Sequence, residues 1–149
     1  MAGIRAVAQT DKIASGTSKK TLLQLVAAAN QRVLIKEISI SFAGISATAA
    51  PVHVQVHRQS SAGTMSALTP KKMNTGDNET LQTTAQHTAT VEPTTGDEVI
   101  GEQVHPQGGG FLWQAPPGGE IVVLGGERLG ICVTAGATVN VKCRMVFEE

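Results

Sequence analysis

From residue 138 to residue 147 the side chains alternate without a break. Val139, Val141, Cys143, Met145 and Phe147 fall on one parity, and Asn140, Lys142 and Arg144 on the other. A period of two puts one set on the buried face of a β-strand and the other toward solvent. The same alternation runs through residues 52–57, where Val52, Val54 and Val56 interleave with His53, Gln55 and His57. In residues 32–42, Ile38, Ile40 and Phe42 share a face, but Val33 and Ile35 have the opposite phase. That phase change predicts a bulge near Lys36, or burial on both sides at that end.

Weaker patterns fill the rest of the chain. Residues 21–30 (TLLQLVAAAN) fit both a helical and a strand spacing, and strand is favoured because everything downstream is β-like. Ser60, Ser61, Ala62 and Gly63 signal a turn, after which residues 64–68 are expected to return as a short hairpin partner. Residues 80–91 read as a Thr-rich, partly exposed strand, and residues 98–104, 120–124 and 128–133 as further strands between Gly and Pro turns. Residues 43–51 and 71–79 are expected loops. Residues 1–20 have no sustained period and are expected to form an extended arm ahead of a domain over 21–149. About eight or nine short strands with no helix predict an all-β, single-domain β-sandwich, jelly-roll-like, with an immunoglobulin-like sandwich left open.

Composition adds two constraints. The 149 residues are 41% hydrophobic but only 3% aromatic, so the core is built from aliphatic side chains. Aromatic residues normally dominate core energetics, and their scarcity points to stability shared with other copies of the chain or with a partner. Twelve basic and twelve acidic side chains cancel, which removes the electrostatic footprint of a nucleic-acid binder. No stretch has the length of a membrane span, and MAGIRAVAQT lacks the apolar run of a secretion signal, so synthesis in the cytoplasm is expected.

Candidate chemistry is sparse. His53 and His57, four residues apart on a strand, would sit about 13 Å from each other at roughly 3.3 Å per residue, too far to clasp one metal ion. Both are expected at solvent or an interface, as are His87 and His105. Cys132 and Cys143 are too few for a disulfide scaffold and face opposite ways, so both are expected as free thiols, Cys143 in the core. Glu98 and Glu102 read as a solvated face, and Gly108, Gly109 and Gly110 as a turn with no Gly-Lys-Ser/Thr ending. No enzyme activity, metal or cofactor is expected.

The strings VLIKEISISFAG, APVHVQVHRQSSAGT, VHPQGG, PPGGEIVV and GERLGICVTAGATVNVKCRMVFEE resemble those of small β-sandwich structural proteins of tailed-phage virions, particularly capsid decoration (cement) proteins and related head or tail accessory proteins. The resemblance implies a virion location, a homo-oligomer with a trimer favoured, and binding to a major capsid protein or another virion protein. The charge balance and the lack of a long apolar stretch lead to the expectation of no nucleic-acid and no membrane partner. The contact residues expected from the resemblance are Ile4, Arg5, Lys12, Lys19 and Lys20 from the arm and Lys71 and Lys72 from the loop. Trp113 is either a cap on the core or an interface anchor. The rival expectation is a tail or fibre module that binds a host surface glycan or protein.

Overall fold

A computed structural model describes residues 3–43 and 50–149, so most of the loop expected over 43–51 lies outside the described residues. The chain forms β1 (Arg5–Gln9), β2 (Ile13–Ala14), β3 (Lys20–Val26), β4 (Val33–Ala43), β5 (Val52–Gln59), β6 (Thr64–Leu68) and β7 (Lys71–Lys72). It continues as β8 (Thr84–Val91), β9 (Thr95–Val104), β10 (Gly110–Gln114), β11 (Ile121–Val123), β12 (Arg128–Thr134) and β13 (Asn140–Glu148), with no helix among the described residues. Two antiparallel sheets result. The first has the order β10-β4-β13-β1-β7, with β11 also on β4 and β2 also on β13, and the second has the order β6-β8-β3-β12-β5-β9. The protein is an all-β sandwich.

The core lies between the sheets and follows the alternation. Val141, Cys143, Met145 and Phe147 of β13 are buried beside Val33, Ile35, Ile38 and Ile40 of β4. They face Leu23 and Leu25 of β3, Leu129, Ile131 and Val133 of β12, and Val52, Val54 and Val56 of β5. The bulge sits where the phase change placed it: Val146 pairs with Glu37 and Phe147 with Ile35, leaving Lys36 as the extra residue. One inserted residue lets Val33 and Ile35 face inward together with Ile38 and Ile40.

Two expectations need correction. The described part of the 1–20 segment is not a detached arm, because β1 pairs with β13 from Arg5↔Glu148 to Gln9↔Arg144 and buries Ala6 and Ala8. Methyl side chains give no strong periodic signal, which is why the strand was illegible. On either side of β2, hydroxyl groups add to the backbone bonds: Cys143 N donates to Thr10 Oγ1 at 3.0 Å before it, and Val139 N to Ser15 Oγ at 3.1 Å after it.

The second correction concerns β6, which pairs with β8 and not with β5 as a hairpin would. The chain after β5 must pass β12, β3 and β8 to reach β6, and the chain after β8 must pass β3, β12 and β5 to reach β9. These two crossovers, residues 60–63 and 92–94, run side by side. Ser60 N donates to Thr94 O at 2.9 Å, and Thr94 N to Ser61 Oγ at 2.8 Å. Gly63 lets them touch: it has φ +59°, and a Cβ there would lie 2.3 Å from the Val91 carbonyl oxygen.

Candidate interaction surfaces

The outer face of the second sheet is closed by the crossovers and lined with polar groups that bond to one another. Gln24 Nε2 donates to Gln59 Oε1 at 2.7 Å and to Ser61 O at 3.0 Å. Gln59 Nε2 donates to Thr21 Oγ1 at 3.0 Å, and the Thr21 hydroxyl donates to Glu92 Oε2 at 2.7 Å. Arg128 and Gln86 both donate to Gln24 Oε1. The buried carboxamides of Gln24 and Gln59 each use both their ends, so their burial is compensated. The network ties both crossovers to β3, β5 and β12.

His57 belongs to this layer and is buried within the chain, which corrects its expected place at solvent or an interface. Lys19 Nζ donates to His57 Nε2 at 2.9 Å, which leaves Nδ1–H to donate to Gly96 O at 3.2 Å. The contacts with His57, from Lys19 and from Gly96 of β9, could not be read from residues 52–57. His53 keeps part of its surface and lies 3.9 Å from Glu98 Oε1, while His105 Nδ1 accepts from Gln107 N at 3.2 Å. Among the described residues no three His, Cys, Asp or Glu side chains gather as a metal site would require.

Both cysteines are free and buried. Cys132 lies on the outer side of β12, 3.3 Å from Thr21 Oγ1, and burial pushes its thiol up even though the Thr21 contact works the other way. Burial drives the Cys143 thiol further, to about 12. A thiol that resists ionisation is a poor nucleophile.

The outer face of the first sheet is a mesh of ion pairs. Lys36 Nζ lies 3.0 Å from Glu120 Oε1 and 3.9 Å from Glu148 Oε2, and Arg144 pairs with Glu37. A hydrogen bond from its own backbone, then one from Lys36, holds the Glu120 carboxyl below its usual range.

The expected contact residues separate into four places. Ile4, Arg5, Lys71 and Lys72 meet at one corner, where β7 pairs with β1 through Ala6↔Lys72 and Val7↔Lys71. There Ile4 exchanges backbone hydrogen bonds with Glu149, Arg5 Nε reaches Glu148 Oε2 at 3.3 Å, and Met73 N donates to Arg5 O. Met73 is 59% exposed beside them, a surface apolar group that the sequence reading missed. Lys72 is partly withdrawn, since its ammonium caps the Asp77 and Glu79 carbonyls.

Lys12 and Lys20 flank a groove of about 500 Å³ that also takes in Leu68, His87 and Thr88, between the edge of the first sheet and the β6–β8 edge of the second. Lys19 is held against the second sheet by its bond to His57. Trp113 sits on the opposite flank, on β10 across from Ile38, half-buried with Phe111 against the core edge, while Leu112 between them is 57% exposed. Trp113 therefore covers the core at its rim. Compared with known proteins, the chain matches no protein-family model, no curated protein and no solved structure.

Proposed function

We propose that the chain is a structural protein of a viral particle, of the capsid-decorating kind, that binds a protein lattice as a homo-oligomer and stabilises the shell. The observation that carries this reading is the β1–β7 corner. Two segments singled out separately as contact candidates, the start of the chain and the 71–79 loop, lie joined there in one ladder, with Met73 exposed between the charges of Arg5 and Lys71. An apolar centre with a charged rim is the usual anatomy of a protein contact. The buried thiols and the closed polar layer favour a scaffold over a reaction centre. On a lattice, many such corners act together, and modest single contacts add up to firm attachment.

The test is to place an epitope tag in the exposed 107–109 turn and label virions from the source with gold-coupled antibody. Label spread over the shell is expected. Label absent from particles would overturn the proposal, and label confined to tails, with signal on a glycan array, would move the assignment to a host-binding fibre module. Lys71→Glu with Met73→Asp is expected to strip the label from shells while leaving the purified chain folded.

A further inference from the structure

The chain is neutral overall, yet one flank carries acidic groups without a lysine or arginine partner and the opposite flank carries two lysines without a carboxylate partner among the described residues. Strand β9 closes one edge of the second sheet and carries Asp97, Glu98 and Glu102 with no Lys or Arg along its length. Among the described residues neither Asp97 nor Glu102 has an ion-pair partner, and Glu98 has only His53 at 3.9 Å. The opposite edge, β6 with β8, borders the groove flanked by Lys12 and Lys20. Lys12 makes no hydrogen bond or ion pair among the described residues, and Lys20 makes only a 3.4 Å contact to Ala14 O. Asp11 also lines this groove, and the pair of lysines outnumbers it.

Shape matches charge. On β9 the Val99 side chain stands 37% exposed between Glu98 and Glu102, and in the groove Leu68 offers an apolar surface between the lysines and His87. At the β6–β8 edge beside the groove these strands lose register between Thr64 and Ser66, and Thr88, which lines the groove, takes φ 56°. A non-glycine residue held there is strained and fixes the bend. Glu102 points inward, on the side of Val104 and Ile100, and an inward charge on an edge strand blocks simple strand addition. Docking by side chains remains.

We infer that the acidic β9 edge of one copy of this chain docks into the Lys12/Lys20 groove of a second copy. Donor and acceptor surfaces lie on opposite flanks, so the contact is heterologous and repeats head to tail, closing into a ring where the rotation per copy allows. The inference goes beyond virion placement: it concerns the free chain in solution and does not require a lattice.

The experiment is sedimentation velocity on the full chain at about 20 mM and about 0.5 M NaCl, where the Debye length shrinks several-fold. Assembly at low salt and dissociation at high salt are expected. Glu98→Lys with Glu102→Lys, and separately Lys12→Glu with Lys20→Glu, should each weaken self-association at least about tenfold. Mixing the two variants should restore assembly in alternating order, because each then presents the charge the other lacks. Should a reversed variant fail to fold by circular dichroism, Glu98→Gln with Glu102→Gln and Lys12→Gln with Lys20→Gln supply the same comparison. A wild-type chain that stays monomeric at low salt, or an oligomer indifferent to salt and to both reversals, would overturn the inference. A monomeric chain would also remove the homo-oligomer from the proposed function, whereas gold labelling tests placement on the shell alone, so the two failures are distinguishable.

Discussion

Gly130 and Gln59 share a space that admits no methyl group: a Cβ on Gly130 would lie 2.2 Å from Gln59 Oε1. Gly130→Ala should therefore push the carboxamide out of its bonds to Gln24 and Thr21 and lower stability by about 1–3 kcal/mol. Urea denaturation measures this, and adding Gln59→Ala should recover part of the loss. At Cys143 the thiol is raised from an ordinary 9.0 to about 12, so the folded state holds its proton where the unfolded chain releases it. The stability this gives is intact below pH 9 and declines as pH rises toward 12. Melting curves across that range should show a component that Cys143→Ala removes, and the native thiol should not react with Ellman's reagent at neutral pH. The inward place of Cys143 was legible from its parity with Val139 and Phe147. The burial of Gln24, His57 and Gln59 was not, because alternation assigns one face of a strand to the core and says nothing of a chain crossing the other.

Strand identity was the most legible feature, down to the bulge at Lys36, since a one-residue change of phase is written directly in the order of apolar side chains. Partnership was not legible. Residues 64–68 form a strand as expected, but their partner is β8, and no local period encodes which strand lies across a crossover. The bulge also separates two kinds of contribution. Lys36→Ala breaks pairs with Glu120 and Glu148 at the sheet surface and should cost up to about 1 kcal/mol. Ile35→Ala, one position away and fully buried, should cost about 2–5 kcal/mol. Thermal melts of both variants check the contrast.

Taken as a whole, the sandwich leaves little of the described N-terminal region dispensable. Deleting residues 3–14 removes two buried alanines, the Thr10 bond to β13 and the strand on which β7 rests. Such a truncation should lower the melting temperature by about 10 °C or more, whereas removal of a free arm would leave it unchanged. Circular dichroism with temperature tells these apart. The sorting of charge between flanks was equally hidden in the sequence: Lys12, Lys20, Glu98 and Glu102 are all visible there, but only the sheet order sets them on opposite sides.

The position of β13 between β4 and β1 has a consequence for biosynthesis. The centre of the first sheet follows every other described strand in chain order, so it leaves the ribosome after all of them. Until it emerges, β4 and β1 have no ladder between them, and the aliphatic face of the nascent chain stays open to water. Closure of the sandwich thus waits for the strand that comes last in this order, and such late, long-range pairing folds slowly and is exposed to aggregation in the interval.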